Sequence, residues 1–152
     1  MKLILIRHGL QTIERREGKS FEILSEEGIS ILTKTIAHMR ENEIIPDYIY
    51  TSPLPRAQQS ADMVGHVFNC PVVVEEALGD DFNPEQLDKH ISEAKVQSLC
   101  MVGHAPTLAG YARTKVREAP SIGRGCCLVL DVDRGSFSLF GYVSADGMQE
   151  FD

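Results

Sequence analysis

The sequence predicts an α/β chain in three layers, with helices on both faces of a mostly parallel sheet and an antiparallel hairpin at the C-terminus. Three observations lead there. Short apolar or β-branched runs alternate with amphipathic stretches four times over. Polar, chemistry-bearing residues follow the ends of those runs. The tail carries two strand-like runs joined by the turn residues Asp133-Arg134-Gly135. At 152 residues, 43% of them hydrophobic, the chain fits one domain over 1–152 and can bury a proper core.

Lys2–Ile6 is a short run rich in Leu and Ile, the pattern of a strand covered on both faces. Residues 10–24 read as polar and irregular. Ser25 can cap a helix over about 26–41, with Ile29, Leu32, Ile36 and Met39 spaced three and four apart. Pro46-Asp47 leads into a strand at Tyr48-Ile49-Tyr50, and after Thr51-Ser52-Pro53 a second helix carries Ala57, Ala61, Val64 and Phe68 on one face. Pro71 introduces the strand Val72-Val73-Val74, and the loop EEALGDDF follows. Asn83 as N-cap, Pro84 at the first helical position and Gln86 three on from the cap start a helix that buries Leu87 and Ile91. Leu99–Val102 is a strand, and Gly103-His104-Ala105-Pro106 opens a helix through about Arg113. The tail strands cover about Cys127–Val132 and Phe137–Val143.

Composition narrows the function classes. Acidic side chains outnumber basic ones, 22 to 15, for a formal charge of −7, which argues against nucleic acid and anionic membrane surfaces as partners. No run approaches the roughly 18 apolar residues of a membrane span, and the apolar start is too short for a signal-peptide core. The expected location is therefore cytoplasmic. Cys70, Cys100, Cys126 and Cys127 lack CxxC spacing and read as small buried thiols. No metal or other cofactor is expected, and the sequence sets no oligomeric state.

Parallel sheets bind ligands beyond the carboxyl ends of their strands. Arg7 and His8 follow the first strand, Ser52 and Arg56 the second, Asp80 and Asp81 the third, and His104 the fourth. A parallel sheet gathers all of them on one edge. Arg7 and Arg56 carry permanent charge on a planar fork that matches phosphate oxygens, and helix N-termini after the second and fourth strands add N–H groups. Phosphate is the natural guest. A histidine among arginines is held neutral and can attack phosphorus, while a second imidazole donates to the transition state. Gly9 would let backbone and phosphate approach closely. The leaving group needs a proton, which Asp80 or Asp81 could supply, although Asp-Asp in a loop is also an ordinary solvated turn.

Other features carry less. His38, His66 and His90 lie in helical stretches away from strand ends and read as surface residues. Gly18-Lys19-Ser20 imitates the end of a P-loop, but Ile13 stands where the earlier glycine belongs and no strand precedes it. Glu14-Arg15-Arg16-Glu17 reads as a solvated mixed-charge loop whose arginines could also meet a protein partner.

RHG after the first strand, TSPLPRAQQSA after the second and VGHAPTL after the fourth resemble the histidine phosphatase superfamily, with its phosphoglycerate-mutase-like fold. LSEEG before the first long helix is similar to that family as well. The resemblance runs from Lys2 to about Gly110. It implies that His8 is the phosphorylated nucleophile and that Arg7, Arg56 and His104 complete the phosphate pocket. The short segment between Gly9 and the first helix resembles the small SixA-type phosphohistidine phosphatases, whose pocket is open. Two departures stand out. Relatives read RHGE or RHGD, where this chain has Leu10-Gln11, and Gln11 is then a donor to phosphate. Asp80, in Leu78-Gly79-Asp80, stands where many relatives carry a glutamate acid. A phosphohistidine substrate eases that requirement, since imidazole leaves more readily than an alkoxide. The resemblance implies a metal-independent phosphatase acting on a phosphorylated protein or a small phosphoester. A phosphoglycerate-type mutase and a phosphate- or phosphoprotein-binding module with little catalysis are the alternatives.

Overall fold

Leu3, Ile4, Leu5 and Ile6 have no exposed surface, because β1 (Lys2–Arg7) runs through the middle of a seven-stranded sheet. The computed structural model describes residues 1–151. Strand order is β5-β4-β6-β1-β7-β8-β9, formed by β4 (Tyr48–Thr51), β5 (Val72–Val74), β6 (Ser98–Gly103), β7 (Cys127–Asp133), β8 (Ser136–Ser144) and β9 (Gly147–Glu150). β5, β4, β6 and β1 are mutually parallel, and β7, β8 and β9 continue the sheet antiparallel.

Alternation along β1 builds the two outer layers. Leu3 and Leu5 face one core with Leu87 and Ile91 of α3 (Pro84–Glu93) and Leu108 and Tyr111 of α4 (Thr107–Lys115). Ile4 and Ile6 face the other, with Leu32 and Ile36 of α1 (Glu26–Glu41) and Ala57 and Ala61 of α2 (Pro55–Phe68). Each fully buried Leu or Ile contributes about 1.5–3 kcal/mol, so β1 anchors both cores. The helix starts are built as the sequence predicts: Ser25 Oγ accepts from the Gly28 N–H at 2.9 Å, and Asn83 Oδ1 from that of Gln86 at 3.3 Å.

The structure corrects the sequence reading in several places. Residues 10–24 are not irregular; they form a hairpin of β2 (Gln11–Arg16) and β3 (Lys19–Leu24). Its turn, Glu17-Gly18, takes positive φ at both residues (50° and 76°), the geometry of a tight hairpin turn. Dense charge hides the strand alternation there. EEALGDDF contains a short 3-10 turn, Glu76–Leu78, and the tail holds a third strand, β9. α4 begins at Thr107, after a turn in which the His104 carbonyl accepts from the Leu108 N–H.

His90 is not a simple surface residue. Its ring stacks on Tyr50 at 4.0 Å and contacts the Glu75 carboxylate, tying α3 to the sheet. Cys100 and Cys127 are buried, Cys70 and Cys126 half-buried, and all four are free thiols. Among the described residues no helix is long and apolar enough to cross a membrane.

Candidate active site

Register brings the site together. Arg7 pairs with Gly103 across the parallel β1–β6 ladder, and Thr51 with Val102 across β4–β6. His8, Ser52 and His104 are the next residues along each strand, or one step beyond, and so leave the sheet at the same edge. The His8 N–H bonds the Gly103 carbonyl and the Ser52 N–H that of Val102, which continues the ladder into the site. The His8 and His104 rings lie 5.1 Å apart at 53°.

The His8 ring is only 4% exposed and its tautomer is decided by one bond. Nδ1 lies 2.7 Å from the Gly9 carbonyl oxygen. A carbonyl only accepts, so Nδ1 carries the proton and Nε2 keeps a lone pair. Arg56 Nε lies 3.4 Å from that Nε2, a long contact that a stronger acceptor would displace. Burial does most to lower the His8 pKa; the Gly9 bond comes next and opposes it, and the Arg56, Arg7 and Arg124 charges lower it further. The imidazole is thus neutral and its nitrogen available.

His104 is held by Ser52, whose Oγ lies 2.6 Å from Nε2. Its Nδ1 is buried without a partner among the described residues. Burial, followed by His8 and Arg56, lowers its pKa to about 4, while Asp80 pulls weakly upward. If the Ser52 hydroxyl donates to Nε2, the proton sits on Nδ1, and that N–H is a free donor for an anion.

Arg7 reaches from the end of β1 to the Ile122 carbonyl at 3.1 Å, and its Nε is buried and unpartnered among the described residues. Gln11, at the start of β2, has a buried Oε1 without a partner. The Arg7 Nε–H is a donor with unused capacity whose charge acts on both imidazoles, as an anion site requires, whereas the free Gln11 atom is an acceptor.

Space is tight at Gly9. A Cβ there would sit 2.8 Å from Leu24 Cδ2 and 3.4 Å from the Gly28 carbonyl oxygen, and its N–H already bonds Ser60 Oγ at 3.0 Å. Asp80 and Asp81 are exposed in the loop after the 3-10 turn, and only Asp80 exerts a charge effect on His104.

Two residues escaped the sequence reading. Arg124 precedes β7, and because β7 is antiparallel to β1, with Cys127 opposite Ile6, its start lies at the edge where β1 ends. The Gly125 N–H bonds the Arg7 and His8 carbonyls, fixing that loop against the site. A rule that looks only beyond strand C-termini cannot find it. Glu22, on β3, places Oε2 at 2.9 Å from Arg56 Nη1. The alternation of β3 was its only signal.

Among the described residues no three His, Cys, Asp or Glu side chains gather as a metal site. The fixed charges at the edge are those of the arginines, which suit an anion. Two neutral imidazoles amid fixed positive charge can bind a phosphoryl group and offer it a nucleophile.

The comparisons with known proteins give the family and the fold. The family model of the histidine phosphatase superfamily, branch 1, matches residues 3–108. No curated protein matches the sequence. Among solved structures, the protein histidine phosphatase SixA complexed with tungstate superposes with a TM-score of 0.84 at 17% identity, over 96% of this chain and 98% of that one. A SixA structure from Agrobacterium tumefaciens gives 0.76 at 21% identity, covering 93% and 95%. A phosphoserine phosphatase mutant from Entamoeba histolytica in complex with phosphoserine gives 0.72 at 16%, covering 95% and 97%.

Proposed function

Because the chain belongs to the histidine phosphatase superfamily, we propose that it is a phosphatase that works through a covalent phosphohistidine at His8, with phosphohistidine on a protein as its substrate class. The carrying observation is the His8 tautomer: Nδ1–H is tied to the Gly9 carbonyl, so Nε2 is unprotonated in a buried, cationic surrounding. Arg7, Arg56 and the His104 Nδ1–H bind the phosphoryl oxygens, and Arg124 adds charge at the rim.

His8 Nε2 forms the new bond to phosphorus while the bond to the leaving group breaks and its electron pair departs with that group. The arginines and His104 meet the oxygens whose charge grows in the transition state. Water then attacks the phosphorus, inorganic phosphate leaves, and His8 regains its lone pair. The residues present supply the charge stabilisation without a metal.

The leaving group separates substrate classes. An alkoxide needs a proton from an acid, and the exposed Asp80 near His104 is the candidate donor. A phosphohistidine protonated on its distal nitrogen leaves as neutral imidazole and needs none. The similarity to SixA, named as a protein histidine phosphatase, favours that class. The reading at phosphomonoesters is favoured by the likeness to the phosphoserine phosphatase and would give Asp80 a catalytic part.

The test is phosphate release from a phosphohistidine-bearing protein and from p-nitrophenyl phosphate, wild type beside His8→Ala, with chelator present. Release from the phosphohistidine protein well above the ester, and lost in the variant, is expected. Undiminished release by folded His8→Ala ends the covalent mechanism, and arrest by chelator ends the metal-independent one.

A further inference from the structure

Arg56 has two faces. Its Nε lies 3.4 Å from the nucleophilic nitrogen of His8, and its Nη1 lies 2.9 Å from Glu22 Oε2. One guanidinium therefore separates a nucleophile from a carboxylate. Glu22 reaches this position through the hairpin register: it pairs with Ile13, while its neighbours Phe21 and Ile23 line a groove of about 840 Å³ against Pro55, Gln58 and Gln59 of α2. Glu22 and its flanking residues thus point to opposite sides of the hairpin.

The contact is costly for a general phosphate site. A phosphoryl group brings negative charge to Arg56, and Glu22 already holds one there; like charges at such a distance repel. Exposure shows which side of the substrate feels it. His8 is 4% exposed, whereas the Glu22 side chain is 46% exposed on the far side of Arg56. In-line attack by the buried His8 Nε2 expels the leaving group away from the ring, towards solvent, the side on which the exposed Glu22 carboxylate meets Arg56.

We propose that Glu22 is a specificity-determining residue that selects leaving groups carrying an N–H donor and rejects those carrying a second anion. The inference rests on the phosphatase reading above and deepens it. The favoured substrate is a phosphoramidate of the phosphohistidine kind. Its distal ring N–H donates to the Glu22 carboxylate, which favours the protonated imidazolium form. As His8 Nε2 bonds to phosphorus, the substrate P–N bond breaks and its electron pair stays on the ring nitrogen. The distal nitrogen keeps its proton, so a neutral imidazole departs and no further acid is consumed. A phosphomonoester with a nearby carboxylate meets Glu22 with like charge.

The experiment compares wild type with Glu22→Gln on a phosphohistidine-bearing peptide and on phosphoglycolate, with orthovanadate inhibition alongside. Neutralising the carboxylate while keeping its shape lowers kcat/KM for the phosphohistidine peptide by about tenfold, the worth of one charged hydrogen bond. It raises kcat/KM for phosphoglycolate, and it tightens vanadate or leaves it unchanged because Arg56 loses a competing anion. Glu22→Ala shifts preference in the same direction. Equal losses on both substrates, or vanadate weakened in parallel, would mean that Glu22 merely positions Arg56 and would overturn the proposal. If wild type turns over neither substrate, the phosphatase reading fails by itself. The selectivity is then read from binding of the same two ligands to His8→Ala and to the His8→Ala/Glu22→Gln protein, where an unchanged preference overturns it.

Discussion

β1 and the β2–β3 hairpin adjoin in the chain and meet at Arg56 from opposite sides, yet they are built on different principles. β1 is dry: residues 3 to 6 are fully buried, and it delivers Arg7 and His8 from the centre of the sheet. The hairpin is wet: Ile13 is 65% exposed, Phe21 39%, and most of its side chains face water. A nucleophile must be held in one orientation, and a strand locked into two cores does that. A residue that meets varied leaving groups gains nothing from such anchoring and stands on an exposed element. On the proposed function, one pocket takes its chemistry from the core and its selectivity from the surface.

The largest effect that would break this division is at His8. His8→Ala is expected to cut phosphate release at least about a thousandfold while the thermal melt stays close to wild type, since the ring adds little to either core. A collapsed melt would make His8 a structural residue of β1 instead. Leu5→Ala comes next, at about 2–5 kcal/mol of stability by denaturant titration, because Leu5 has no exposed surface. A loss below about 1 kcal/mol would remove the claim that β1 is the anchor.

Arg124→Ala sharpens the contrast from the antiparallel half of the sheet. It is expected to raise KM for phosphorylated substrates several-fold with kcat retained, because its charge acts at the rim without a direct bond to His8. A kcat loss with unchanged KM would move Arg124 into the transition state. The pH profile follows from the two imidazoles. Both pKa values lie below the ordinary 6.5, His104 at about 4, so the acid limb of kcat/KM should fall below pH 6.5. The sign for stability is the same. The unfolded chain takes up these protons first as pH falls through 6.5, so stability drops between there and about 4. An acid limb at or above 6.5 would contradict a neutral, buried nucleophile. The smallest effect belongs to the hairpin: Ile13→Ser should change stability by less than about 0.5 kcal/mol, and a larger loss would show the hairpin to be part of the core.

Sequence by itself was enough for the parallel half of the sheet. Alternating β-branched and helical runs, Ser25 and Asn83 at helix starts, and polar residues just past strand ends all follow from local chemistry, and they led to Arg7, His8, Arg56 and His104. Periodicity and capping are written within a few residues, so one chain suffices to read them. Tertiary structure decided the rest. Leu24 and Gly28 close on Gly9, a crowding that only the meeting of β3, α1 and the end of β1 reveals. Arg124 joined the site through the antiparallel register of β7 against β1, and Glu22 through the alternation of a hairpin whose charges hide its strands. Arg124 and Gly9 depend on contacts between residues far apart in the chain, which periodicity within a few residues does not encode, and Glu22 on a local hairpin whose dense charge obscures its alternation.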